Sequence, residues 1–176
     1  YYCDMVLNER QSRADRVFDA GKMMMTAART APKAKGLDNL ECCLVVGDDI
    51  RRMSDMMLML HEETGRPVYK RDAENILKAE CILVIAAKNV PMGLNCGHCG
   101  FPTCGEKPAN VPCAYCPTDV GIAIGSACAM AADLRVDTRV MFSAGMAAER
   151  MNLLPGCCQY FAIPVSASSK SPFFDR

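Results

Sequence analysis

Five of the twelve cysteines lie between Gly93 and Pro117, and their spacing could support metal chemistry. They form a C-x2-C-x4-C run followed, after eight further residues, by a second C-x2-C pair: Cys96, Cys99, Cys104, Cys113 and Cys116. Two thiolates at C-x2-C spacing can turn towards one point, and Gly97 permits backbone dihedrals that most residues avoid. The stretch therefore predicts a metal centre.

Two inorganic centres fit this spacing, and they use different cysteines. A structural zinc would take the two C-x2-C pairs, which thirteen residues separate, and would leave Cys104 without a role. A [4Fe–4S] cluster would take Cys96, Cys99 and Cys104 with one further thiolate, and Pro117 after Cys116 matches the Cys-Pro step of bacterial ferredoxin runs. Five free thiols are a third alternative, and spacing alone leaves all three open.

The first cysteine run carries a resemblance that bears on this choice. The segment Cys96-Gly-His-Cys99-Gly-Phe-Pro-Thr-Cys104 resembles the C-G-x-C-G-x-x-T-C run of cluster-binding modules in corrinoid iron–sulfur proteins and carbon monoxide dehydrogenase/acetyl-CoA synthase systems. The resemblance implies a [4Fe–4S] cluster on these three cysteines, completed by a fourth from further along the chain. It favours the cluster over zinc.

The composition of the chain argues against several classes of binding partner. No apolar run reaches the roughly 18 residues that a membrane span requires. The 20 basic and 20 acidic residues cancel and do not form blocks, so neither nucleic acid nor an anionic membrane is an expected partner. Several remaining cysteines lie in apolar runs like ordinary buried residues, which favours a reduced, cytoplasmic protein over a disulfide scaffold. We expect one domain over residues 1–176, with a cysteine-rich metal-binding insertion at about 91–117.

Alternating helical and strand patterns predict an α+β protein. The expected strands are 40–47, 81–87 and 160–165, with a possible edge strand at 67–69. The expected helices are 9–30, 49–64, 72–78, 119–134 and 141–151, and Asp119 is a candidate N-cap for the fourth. That fourth helix is small and apolar on nearly every face, which predicts burial on all sides or packing against a second copy.

Segments on both sides of the insertion resemble flavin-dependent nitroreductases. Ala27-Ala-Arg-Thr-Ala-Pro32, a loop with Asn39 and the strand LECCLVVGDD resemble that family's A-A-x-x-A-P-S helix end, Asn-containing loop and strand. Asp119-Val-Gly-Ile-Ala and FAIPVSA resemble its dimer-forming helix and last core strand. The resemblance implies a three-layer α/β/α sheet, an FMN cofactor and a homodimer built on the 119–134 helix.

The flavin motif is incomplete in this sequence. The R-R-S-x-R entry that holds the flavin phosphate is not recognisable, and the Ser of A-P-S is Lys33. Lys33 and Lys35 in a glycine-containing loop could neutralise a phosphate instead, so Lys33, Lys35 and Asn39 are the candidate FMN-binding residues. An ordinary solvated loop explains the same charges.

Taken end to end, the chain resembles a family of uncharacterised bacterial and archaeal proteins that contain a ferredoxin domain. The matching segments are AARTAPKAKGLDN, GLNCGHCGFPTC, DVGIAIGSA and the FFDR tail. The resemblance implies Cys113 as the fourth cluster ligand, with Cys116 as the alternate. We expect electron transfer, with a redox partner protein, or an FMN-dependent oxidoreductase. The alternative is a non-enzymatic protein with a structural or sensing zinc site, and the sequence identifies no catalytic residue.

Overall fold

The computed structural model describes residues 6–174, so Cys3 and the Asp175 and Arg176 of the FFDR tail lie outside it. In chain order the elements are α1 (Glu9–Thr30), a short 3-10 helix (Ala34–Gly36), β1 (Leu40–Val46), α2 (Asp48–Thr64), α3 (Pro67–Ile76), β2 (Cys81–Lys88), α4 (Tyr115–Asp133), β3 (Asp137–Thr138), α5 (Phe142–Arg150) and β4 (Cys157–Ser166).

The four strands form one antiparallel sheet in the order β1-β2-β4-β3. Cys43 lies opposite Val84, and Leu83 lies opposite Ile163. Every residue of β2 from Cys81 to Ala87 is buried, since this central strand has helices over both faces. Its sequence is therefore a continuous apolar run instead of an alternating pattern.

Helices cover the two faces of the sheet in separate layers. Helices α1 and α4 pack with Leu83 and Ile85 on one face, whereas α2, α3 and α5 pack with Ile82 and Val84 on the other. The result is the three-layer α/β/α arrangement that the sequence implies. At the closest approach, a Cβ on Gly145 of α5 would lie 2.7 Å from the carbonyl carbon of Tyr160, so only glycine lets α5 contact β4 there.

Two local predictions are wrong. Residues 67–69 begin helix α3 instead of forming an edge strand, because Pro67 suits the first helical turn and Tyr69, Ala73 and Ile76 are buried at helical spacing. Asp119 is not the N-cap of α4, which already begins at Tyr115. Its carboxylate instead accepts a hydrogen bond from the Ala34 N–H, at 3.0 Å.

Residues 89–114 connect β2 to α4 and contain no helix or strand. This connection, called the cysteine loop below, begins at the end of the most buried strand and ends at a helix whose inner face is buried against α1 and the sheet. The loop therefore has both ends held by the core. Among residues 6–174, no helix is both long and apolar enough to cross a membrane.

Candidate metal centre

Four cysteines line one pocket of the cysteine loop. The pocket is a small cavity of about 10 Å³. Its cysteines are Cys96, Cys99, Cys104 and Cys113, and Cys116 is not part of the lining. Across residues 6–174, no three Cys, His, Asp or Glu side chains are grouped closely enough to hold a single metal ion. The four thiols are thus arranged around the pocket instead of meeting at one point.

The first half of the loop turns its backbone towards this pocket. Gly93, Asn95, Gly97 and Gly100 have positive φ values of 68°, 47°, 72° and 87°. Left-handed residues alternating with ordinary ones direct successive N–H groups to one side, an arrangement found at phosphate and iron–sulfur sites. The Asn95 N–H donates to Cys104 Sγ at 3.4 Å, and the Cys104 N–H donates to Asn95 Oδ1 at 2.9 Å. Asn95 therefore holds Cys104 by two reciprocal hydrogen bonds.

These amides stabilise the thiolate form of Cys104. The hydrogen bond from the Asn95 amide lowers the pKa of the Cys104 thiol below its usual value. Burial opposes this effect in part, and the amides of Gly93 and Leu94 and the positive charge of Lys107 lower the pKa by smaller amounts. Because the thiolate is the metal-binding form of cysteine, the surroundings of Cys104 suit a ligand.

The second half of the loop is held by two side chains that share one acceptor. Lys107 is buried, and its Nζ donates to the carbonyl oxygens of Pro108 and Val111. Asn89 Nδ2 donates to Ala109 O at 2.8 Å and to Val111 O at 3.4 Å. These contacts fix the segment that leads to Cys113.

Cys116 has a different environment. It is fully buried, and its S–H donates to the carbonyl oxygens of Lys88 at 3.4 Å and Val90 at 3.8 Å. Burial raises the pKa of the Cys116 thiol, and the hydrogen bond with the Val90 backbone opposes that effect only partly. Cys116 is therefore bonded to the end of β2 and does not line the pocket of the other four cysteines.

The three residues that the sequence predicts to bind FMN lie in different environments. Lys33 Nζ donates to Arg29 O at 2.5 Å and Ala31 O at 2.9 Å, so it caps the end of α1. Lys35 Nζ donates to Met92 O at 3.0 Å and so contacts the cysteine loop. Asn39 is buried, with its Nδ2 3.9 Å from Cys116 Sγ. The structure brings Lys35 and Asn39 to the base of the cysteine loop and holds Lys33 against the helix.

Three buried oxygen atoms in or beside the cysteine loop have no hydrogen-bond partner among the described residues. They are Asn39 Oδ1, Asn89 Oδ1 and Asp119 Oδ2. Asp119 lies three residues after Cys116 on α4, and its other oxygen accepts from the Ala34 N–H of the segment that carries Lys35 and Asn39. All three unpartnered atoms are acceptors, so a ligand N–H or a water would satisfy them.

The layered sheet with helices on both faces is that of the nitroreductase fold. The chain is similar to a nitroreductase with bound FMN from Desulfitobacterium hafniense, with 13% identity, a TM-score of 0.60, and coverage of 86% of this chain and 78% of that one. It is also similar to the nitroreductase CinD from Lactococcus lactis in complex with nicotinic acid, with 13% identity, a TM-score of 0.61, and coverage of 94% and 81%. At these identities the likeness establishes the fold.

Sequence comparison establishes the family. Residues 109–176 match the family described as uncharacterized proteins containing a ferredoxin domain (DUF2148), a match that includes Cys113 and Cys116. An uncharacterized protein from Archaeoglobus fulgidus is 37% identical over 182 residues, which cover 98% of each chain. The chain belongs to this ferredoxin-domain family. The ferredoxin domain in the family's description supports, in general terms, a redox role based on an iron–sulfur centre.

Proposed function

We propose that the protein is an iron–sulfur redox protein whose [4Fe–4S] cluster is bound by Cys96, Cys99, Cys104 and Cys113. One observation carries this proposal: these four cysteines line a single pocket, and Cys116 lies outside it with its thiol bonded to Lys88 O. The cluster and zinc interpretations differ in their use of Cys104 and Cys116. The pocket includes Cys104, which a zinc site would not use, and omits Cys116, which a zinc site would use.

The number and placement of the thiols also suit a cluster. Four thiolates around one zinc ion lie about 3.8 Å apart, because each Zn–S bond is about 2.3 Å long and the geometry is tetrahedral. Cluster thiolates bind different irons and so surround a larger body, and the thiols here are spread around the pocket. When bound, the cluster supplies one-electron transfer. The protein contributes the thiolates, the amide donor to Cys104, and the apolar side chains of Met92, Phe101 and Tyr115 in the pocket lining.

We further propose FMN at the base of the cysteine loop, near Lys33, Lys35 and Asn39. The unpartnered Asn39 Oδ1 and Asp119 Oδ2 support it, because both could accept a hydrogen bond from a flavin ring N–H. Lys35 lies on the Met92 carbonyl, so a flavin held there would be next to the cluster pocket. Lys33 would have to leave the carbonyls of Arg29 and Ala31 to bind a phosphate. With flavin bound, the protein would be an FMN-dependent oxidoreductase served by a redox partner.

The outer face of α4 supports the proposed homodimer. Ile122 is 41% exposed, and Gly121 and Gly125 beside it have open space where a side chain would be. A second copy of α4 could approach this uncharged face closely. Light scattering on the wild-type protein should give the mass of a dimer, and Ile122→Glu should give a monomer that retains the wild-type circular dichroism spectrum. A monomeric wild-type protein would refute the dimer.

The test of the cluster is an iron, zinc and acid-labile sulfide assay on protein purified without oxygen, together with the visible spectrum before and after addition of FMN. About four irons and four sulfides per chain would support the proposal. One zinc per chain without sulfide would instead support a structural zinc site, and it would refute the proposed electron transfer. A protein that contains iron but takes up no flavin at any FMN concentration would be an electron carrier, and the proposed oxidoreductase activity would be refuted.

A further inference from the structure

Lys107 is a buried cation at the edge of the four-cysteine pocket. The residue is 9% exposed and is part of the pocket lining. Its ammonium donates to the carbonyl oxygens of Pro108 and Val111, and among residues 6–174 no carboxylate forms an ion pair with it. The neighbouring acid Glu106 is exposed and accepts from the Thr103 hydroxyl at 3.0 Å.

This environment is costly for the charge as it stands. A buried ammonium is normally paired with an anion, because carbonyl dipoles replace only part of its hydration. The pocket beside Lys107 is lined by thiols, which become anionic when they bind a metal. A metal centre bound by these thiolates would therefore supply the negative charge that compensates the ammonium of Lys107.

We propose that Lys107 is the counter-ion of the cluster and raises its reduction potential. The inference rests on the proposed function, since it requires a cluster on these cysteines. Reduction adds one electron from an external reductant and one negative charge to the centre, with no bond formed or broken. A fixed positive charge at the pocket wall stabilises the reduced state more than the oxidised state.

The contacts of the ammonium agree with this role. It is held in place by the carbonyl oxygens of Pro108 and Val111, and Asn89 donates to the same Val111 carbonyl. A cation that cannot move away from the pocket keeps its effect in both oxidation states.

The test is a potentiometric titration with dithionite, followed by electron paramagnetic resonance, on anaerobically reconstituted protein. Lys107→Met removes the charge and preserves the length of the side chain, Lys107→Arg keeps the charge, and Lys78→Met removes an exposed charge at the opposite end of β2 from the loop. We expect Lys107→Met to lower the reduced-to-oxidised ratio at a fixed potential about tenfold, which is about 59 mV for one electron. The other two variants should match the wild type.

A Lys107→Met protein with full iron content and the wild-type potential would overturn the inference. Should Lys107→Met not retain iron, iron retention in the arginine variant and its loss in Lys107→Gln, which keeps an N–H donor, would support the counter-ion role. Equal loss of iron in all three variants would show that only the shape of lysine is required, and it would overturn the counter-ion role. A wild-type protein without iron and sulfide would refute the proposed function itself, and that result is seen before any variant is made.

Discussion

Replacing Cys113 and Cys116 separately by alanine distinguishes the two ligand sets, because the two changes are matched in size and burial. Cys113 is 5% exposed and Cys116 is fully buried. Each substitution removes one buried sulfur, similar in size to a methylene group, whose transfer is worth about 0.8 kcal/mol. With the small cavity left behind, each should cost the metal-free protein about 1–1.5 kcal/mol. For a domain of this size, Tm should fall by about 2–6 °C in both variants.

The two variants should differ once metal is present. Cys113→Ala leaves three thiolates at the pocket, so iron and sulfide should fall well below four per chain after anaerobic reconstitution. Cys116→Ala removes only a thiol bonded to the Lys88 carbonyl, so it should retain the full cluster. The assays are iron and sulfide content, visible absorption, and thermal unfolding of the metal-free proteins.

Cys128→Ala is the control. Cys128 lies on α4, as Cys116 does, and is not part of the pocket lining, so its replacement should not change the iron content. The reasoning fails if Cys116→Ala loses the cluster and Cys113→Ala retains it. It also fails if both variants bind one zinc weakly and neither binds sulfide, which would indicate that the two cysteines act together on one ion.

Three further predictions concern packing and ionisation. Gly145→Ala would push a Cβ into the backbone of β4 and should cost about 3 kcal/mol in urea denaturation, and a variant as stable as the wild type would contradict this packing. Ser143→Ala removes the hydroxyl that donates to the buried Asp72 carboxylate at 2.5 Å and should cost about 2 kcal/mol; an unchanged denaturation midpoint would contradict this. In metal-free protein, the lowered pKa of Cys104 increases its thiolate fraction at a given pH. Iodoacetamide should therefore modify it at lower pH than a cysteine in an unstructured peptide, as followed by mass spectrometry.

Much of the fold could be predicted from the sequence because strong periodic signals coincide with burial. The run Cys81 to Ala87 is apolar throughout, and it forms the central strand. The sequence does not predict the start of α3, because Val68 and Tyr69 favour strands as isolated residues, whereas Tyr69, Ala73 and Ile76 are buried at helical spacing. Strand β3 has only two residues, too few for any periodic pattern.

The candidate site was only partly predictable. Cysteine spacing indicated the possible ligands, because C-x2-C steps have a local geometric meaning. Nothing in the sequence around Lys107 indicated that its ammonium would be buried, because its acceptors are backbone carbonyls, which have no residue signature. The same holds for Asp119, whose partner is the amide of Ala34, 85 residues earlier in the chain.

The anchoring of the cysteine loop has a consequence for the order of assembly. Both ends of residues 89–114 are fixed by buried elements, β2 on one side and α4 on the other, and the core on the α2, α3 and α5 side contains no loop residue. If the proposed cluster binds, its binding free energy would mainly order the loop, which adds Met92 and Cys113 to the core on the α1 and α4 side. The sheet and the helices would then fold before iron and sulfide are bound. A cell short of iron would in that case accumulate folded protein that can accept a cluster when iron returns.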